Sequence, residues 1–427
     1  MGRPPRGARG PHRTEAALSE YFSHAFPNGL QLLVEPVPEV RSAAFTLLTP
    51  AGVMWDLPGK GGLANVFSEL WQRGAGARDS KALSVALDNL GVQRSSSAEI
   101  RHVSLSSAML AENLEPAMAI FADIVRRPRL EEEQLEFCKA SVLQEIQALE
   151  DEPSQKVFIA LRKRAMPPPF GKPTLGNTED VESLTRKDAV DFHDRHIRPN
   201  GAIIGVAGAV EFEQVRDIVG KLFGDWEPSK DFKPDVGEPP YGKEHLESDK
   251  IQTHIGLAFP SVCYGDPDFY NAHGAAQVLG GGMSSRLFTE VREKRGLCYS
   301  VSASYNPGKD RGLFVGYAGT TNERAAETLD VVRQEFKRLQ SGITENEVAR
   351  VRIGLKASLV MQEESTSARA SVLARSWYNL GRVRTLEETL ENIDKLTPEL
   401  LLGFLERHPL KEAVLVTLGP KPLDDAA

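Results

Sequence analysis

Apolar and polar positions change period along this chain in an order that is then repeated. Near the start, "LQLLVEPV" and "SAAFTLLTPAG" have the apolar alternation of strands. Leu63, Val66, Phe67 and Leu70 recur at spacings of three and four, which predicts an amphipathic helix over about 61–73 with an ordinary core face. "SKALSVALDNLG" keeps the helical period, "VQRSSSAEI" and "HVSLSSAML" return to that of strands, and helices over about 112–127 and 131–150 follow.

The second writing of this order is visible residue by residue. "VESLTRKDAVDFHDRH" at 181–196 aligns without gaps with "IDKLTPELLLGFLERH" at 393–408. Leu184 and Thr185 match Leu396 and Thr397, Phe192 matches Phe404, and Arg195 and His196 match Arg407 and His408. The offset, 408 − 196 = 212, is almost half of the 427 residues. A strand-like apolar run follows each copy, "AIIGVAGAV" at 202–210 and "AVLVTLG" at 413–419, and a long amphipathic stretch precedes each. Runs of strands with helices grouped between them predict two homologous α+β sandwich domains, each a mainly antiparallel sheet with helices packed on one face. The boundaries expected from this pattern are a disordered extension over 1–22, a first domain over 23–228, a polar, proline-rich linker over 229–248, and a second domain over 249–427.

Length agrees, since 427 residues exceed one ordinary core. A net charge of −8 argues against a nucleic-acid-binding surface and directs attention to peptides, proteins or small molecules. Cys138, Cys263 and Cys298 form no CxxC pair and no disulfide framework, so buried free thiols of a reducing compartment are expected. The basic opening stretch has no apolar run, so neither a secretory signal nor a transmembrane segment is expected. The cytoplasm is the expected location, with the periplasm or an organelle left open.

Two stretches invite a chemical reading and do not keep it. His193 and His196 in "HDRH" lie i and i+3 on a helix, a spacing open to a metal. Only His196 recurs, as His408, beside the repeated arginine, so a structural helix-end role is expected. Gly280, Gly281 and Gly282 lack the lysine ending and the preceding βαβ unit of a phosphate loop, and predict a tight turn between helices.

The run "AGVMWDLPGKGGLANVFSEL", the stretch from "LDNLGVQRSSSAEI" to "RRPRLEEEQLEF", and "LGGGMSSRLFTEVREKRGLCYSV" in the second half resemble the pitrilysin and mitochondrial-processing-peptidase family, the inverzincins. Active members of that family carry H-x-x-E-H on the first helix. Two histidines four apart on one face hold Zn²⁺, and the glutamate polarises the attacking water. At the matching positions this chain has Asn65 for the first histidine, Ser68 for the catalytic base and Glu69 for the second histidine. Glu145 in "SVLQEI" matches the distal ligand, 145 − 69 = 76 residues further on, and Cys138 stands where the family has a supporting acid. An amide is a poor zinc ligand and a serine hydroxyl is no base near neutral pH. With these substitutions the resemblance implies no metal and no cofactor in this chain.

The second half keeps its part of the family pattern. Gly296 predicts a helix stop, "LCYSVSASY" a strand, and Arg292 and Tyr299 match the Arg/Tyr pair that contacts substrate carbonyls and the oxyanion in family members. One half of a composite site is lost and the other kept. The resemblance therefore implies the non-catalytic subunit of a heterodimeric zinc endopeptidase. Its partner would be a homologous chain carrying H-x-x-E-H and zinc, and its substrate a peptide or unfolded protein. Two alternatives stand beside this reading: a non-enzymatic scaffold subunit and a peptide-binding homodimer.

Overall fold

The computed structural model describes residues 21–230 and 233–423. The extension expected over 1–22 lies almost wholly outside the described residues, and Phe22 already opens the first strand. The first half contributes β1 (Phe22–Ala25), β2 (Gln31–Pro36), β3 (Ser42–Thr49), a short hairpin β4 (Gly74–Ala75) and β5 (Arg78–Asp79), β6 (Gln93–Ala98), β7 (Val103–Leu110) and β8 (Ile203–Gly208). Six of these form one sheet in the order β1-β2-β8-β3-β7-β6, antiparallel except where β8 runs beside β2. The second half contributes β9 (Gly242–Glu247), β10 (Gln252–Ser261), β11 (Cys298–Pro307), β12 (Gly312–Thr321) and β13 (Val414–Gly419). Their order is β9-β13-β10-β12-β11, antiparallel except for β13 beside β9. Position for position, β2-β8-β3-β7-β6 recurs as β9-β13-β10-β12-β11, so the duplication is topological as well as sequential. β9 lies inside the stretch read as a linker. Its sequence "GKEHLE" is a polar edge strand, and a polar edge offers no apolar run to find.

Helices α1 (Leu63–Leu70), α2 (Ser80–Asp88), α3 (Leu114–Arg126) and α4 (Glu132–Ala148) are followed by α5 (Pro153–Ala165), α6 (Thr178–Glu182), α7 (Arg186–His196) and α8 (Phe212–Phe223). All of these except α5 share the first core, where Leu32, Phe45 and Val206 of the sheet meet Phe67, Phe121 and Phe192. The second half contributes α9 (Phe269–Gly280), α10 (Ala325–Leu339), α11 (Glu345–Glu363), α12 (Thr366–Leu380), α13 (Leu386–Asp394) and α14 (Pro398–Arg407).

The aligned positions now have physical reasons. Thr185 and Thr397 cap α7 and α14, each accepting a hydrogen bond from a backbone N–H three residues on. Phe192 and Phe404 are buried core residues. Asp268 stands 212 residues after Asp56 and accepts both forks of the Arg407 guanidinium.

Helical periodicity does not show which sheet a helix will cover. α5 leaves its own half and packs Val157 and Leu161 against Ala258, Val315 and Val416 of the second sheet. α12 does the reverse, packing Leu373 and Ala374 against Leu33, Leu48 and Ile203. Each sheet thus carries its own helices on one face and a single exchanged helix on the other. The close seat of α12 is Gly205 in β8, where a Cβ would lie 2.3 Å from the Ala370 carbonyl oxygen. Arg369 of α12 pairs with Glu35 of β2 in the same interface.

Candidate functional site

The first helix is anchored by its entry. Gly62 has φ +87°, and a Cβ there would meet the Leu175 carbonyl oxygen at 2.4 Å, so the turn requires glycine. The Asp56 carboxylate accepts the Gly62 and Ala64 N–H groups at 2.8 and 2.9 Å, satisfying two of the helix's free donors. Burial pushes the Asp56 carboxyl up to about 7 despite those two bonds and nearby Lys172. Leu63, Val66, Phe67 and Leu70 are all buried, as the periodicity predicts.

α1 packs on α4, which brings Glu145 toward Glu69. Asn65 and Glu69 are half-buried on the outer side of α1. The Glu69 carboxyl is held above its ordinary range, first by burial and then by the Glu145 charge facing it from α4. Positions 69 and 145 are thus near enough in space for their charges to repel. Cys138 is fully buried, and burial pushes its thiol up to about 11, with Arg73 and Glu69 both acting on it. Sequence reasoning did not name Arg73, which stands four residues after Glu69 and just beyond the end of α1. Ser68 is 2% exposed and donates its hydroxyl to the Asn65 carbonyl at 2.8 Å. That hydroxyl is spent inside the helix and is not free for a water or a substrate.

This donor set does not fit zinc. It offers an amide and two mutually repelling carboxylates in place of two imidazoles and one carboxylate, and the base position holds a bonded serine. Among the described residues, three potential ligand side chains come within 4.8 Å of one another only at Asp266, Asp268 and His408, where Asp268 is engaged by Arg407. The two histidines of "HDRH" meet different neighbours. His193 Nε2 lies 2.9 Å from the Val125 carbonyl, while His196 stacks on Trp55 at 5.3 Å. Burial holds the His196 imidazole down at about 4, so it stays neutral.

The second-half pair sits in different surroundings. Arg292 lies in a π-helical turn, Phe288–Glu293, and its guanidinium lies over the Phe288 and Tyr299 rings at 4.7 and 5.4 Å. Tyr299 falls at a register shift in β11, between Cys298 and Ser300, and is 82% exposed. A bulge turns a strand residue out of the alternation, and both bulges and π-turns recur next to functional sites. The Arg292 fork finds only a 3.9 Å approach from Glu293. Tyr299 is presented outward with half-buried Arg292 beneath its ring, whereas in the first half Ser68 is buried, Asn65 and Glu69 are half-buried and Glu145 is exposed. Gly296, at φ +59°, ends the turn between them as the sequence predicts.

This arrangement defines a class: a duplicated α+β protein built on a metallopeptidase plan, with one half of the plan altered. A model described as "Insulinase (Peptidase family M16)" matches residues 32–178, and one described as "Peptidase M16 inactive domain" matches residues 183–355. The chain belongs to peptidase family M16. An "uncharacterized zinc protease" of Rickettsia bellii is 27% identical over 400 residues, spanning 93% of this chain and 97% of that protein. A namesake from Mycobacterium leprae is 28% identical over 433 residues, spanning 98% and 96%. The crystal structure of a peptidase M16 inactive domain from Pseudomonas fluorescens superimposes with a TM-score of 0.86 at 23% identity, covering 95% of this chain and all of that one. That likeness concerns the fold. No helix among the described residues is long and apolar enough to cross a membrane.

Proposed function

We propose that this chain is the zinc-less subunit of a two-subunit metallopeptidase. In this reading it presents Arg292 and Tyr299 to a peptide held at a homologous partner that carries H-x-x-E-H and zinc. One observation carries the proposal: the two halves of the family site have diverged in opposite directions. In the first half the Ser68 hydroxyl is bonded within its helix, and Glu69 is set against the like charge of Glu145. In the second half Tyr299 is exposed, and half-buried Arg292 lacks a hydrogen-bonded acid partner among the described residues.

The chemistry of the pair suits such a role. A guanidinium donates a fork of hydrogen bonds and a phenol donates one more, which suits carbonyl oxygens and a developing oxyanion. The exposed edges β6 and β11 offer backbone groups to an extended peptide, so recognition would read main chain more than side chains. The test is reconstitution. This chain, mixed with a homologous H-x-x-E-H chain from the same organism, should cleave unfolded peptides that neither cleaves alone. A partner fully active without it would refute the reading.

A further inference from the structure

Between the two halves lies a cavity of about 1120 Å³, apart from the positions discussed above: none of Asn65, Ser68, Glu69, Glu145, Arg292 and Tyr299 lines it. The exchanged helices form two of its sides, through Phe158 and Arg162 of α5 and Arg375 and Tyr378 of α12. Two strand-ending turns, Glu99–His102 and Pro307–Arg311, close it at the sheet ends. Its walls are apolar, with Leu48 and Phe170 from the first half facing Leu313 and Val315 from the second.

The charges in this cavity do not cancel. Its carboxylates are Glu99 and Asp310, and each is already taken. Glu99 accepts both forks of Arg375, at 2.9 Å for one of them, and Asp310 accepts from Arg101. Arg162, Lys233, Lys309 and Arg311 also line the cavity and have no carboxylate partner among the described residues. This surplus of cations stands out in a chain of net charge −8. Arg162 is the most telling, because its Nε is buried with no hydrogen-bond partner. A buried donor left unmade is destabilising, and an anionic acceptor would satisfy it. Lys309 lies over the Tyr378 ring at 4.4 Å, and the buried His102 meets the same ring edge-on at 4.2 Å. Burial holds His102 down at about 4; the Glu99 charge opposes this shift, and Arg375, Arg101 and Lys309 reinforce it.

We propose that this cavity binds an amphipathic anion, an alkyl chain bearing a carboxylate or phosphate head. The chain lies against Leu48, Phe158, Leu313 and Val315, and the head is held by Arg162, Lys309 and Arg311. Apolar walls with a few polar groups are the usual form of a small-molecule site, and this volume lies just above the usual range for one. An extended peptide suits it less. Leu48, Leu313 and Val315 sit in strands paired on both sides, so their backbone groups are already used.

The experiment uses the full chain and displacement of anilinonaphthalene sulfonate fluorescence by laurate, dodecyl phosphate, dodecyltrimethylammonium, inorganic phosphate and an acidic peptide, all below micelle-forming concentrations. Laurate, dodecyl phosphate or both should displace the dye, and which of them does so identifies the head. The cationic amphiphile and phosphate alone should be at least about tenfold weaker, as expected for loss of a charged hydrogen-bond partner or of the apolar body. Lys309→Glu with Arg311→Glu, on an exposed turn, should weaken the anions about tenfold or more. Arg162→Gln provides a second, neutral variant with the same expectation. Equal displacement by the cationic amphiphile, anion binding unchanged in both variants, or displacement by the acidic peptide alone would each overturn the proposal.

Discussion

The exchanged helices make a sharp demand on Gly205. Its Cα lies against α12 so closely that an alanine methyl would sit 2.3 Å from the Ala370 carbonyl oxygen and 3.1 Å from the Ala374 nitrogen. Both are backbone atoms of a helix, so no rotamer change can relieve the contact and α12 must lift from the sheet. Overpacking a core costs about 1–3 kcal/mol when side chains can adjust, and Gly205→Ala should fall at or above the top of that range. Gly354→Ala is the control. Gly354 lies in α11 with no neighbour within 4 Å, and alanine there should stabilise by about 0.5–1 kcal/mol through helix propensity. Urea unfolding followed by tryptophan fluorescence suits the question, because Trp55, Trp71 and Trp226 lie in the first half and Trp377 lies on α12 itself. A Gly205→Ala variant as stable as the parent would refute the exchange of α12 onto the first sheet.

Gly256→Ala should destabilise less than Gly205→Ala in the same assay. Its added methyl would meet the side chains of Leu161 and Val157 at 2.5 Å, and side chains can yield where backbone cannot. Asp56 should give stability a pH dependence of known sign. Its carboxyl rises from an ordinary 3.8 to about 7 on folding, so its contribution is full below about 4 and is lost as pH rises through about 7, a span of about 4 kcal/mol at 1.4 kcal/mol per pH unit. Asp56→Asn should flatten the fall in urea midpoint between those limits, and an unchanged slope contradicts the assignment. Metal analysis of the parent chain should find no stoichiometric zinc. Asn65→His with Ser68→Glu and Glu69→His should gain about one equivalent, because Glu145 already faces position 69; failure of the triple variant would show that the two helices no longer hold the family's geometry.

Much of the fold was legible because duplication supplies its own check. The matched Leu184/Leu396, Thr185/Thr397 and Phe192/Phe404 pairs are core or cap residues in both halves, where packing and hydrogen bonding restrict the choice. β9 escaped because edge strands are polar, and the exchange of α5 and α12 escaped because an apolar stripe does not name its partner sheet. At the candidate site, the replacement of the zinc motif could be read directly from letters. The consequences could not: the bond from Ser68 to the Asn65 carbonyl, the repulsion between Glu69 and Glu145, and the bulge that turns Tyr299 outward all depend on tertiary placement. The cationic cavity was least visible, because its lining comes from turns, both exchanged helices and the connecting segment, scattered from Leu48 to Asn379.

The most direct measurement of the division of labour is kcat/KM for peptide cleavage by the reconstituted pair, with this chain carrying Arg292→Ala or Tyr299→Phe. Loss of one oxyanion donor commonly costs about 10²–10³ in rate, and either substitution should produce a loss of that order while leaving the complex assembled, as checked by size-exclusion chromatography. Full activity in both variants, with assembly intact, would contradict the claim that this chain serves the reaction through its second half.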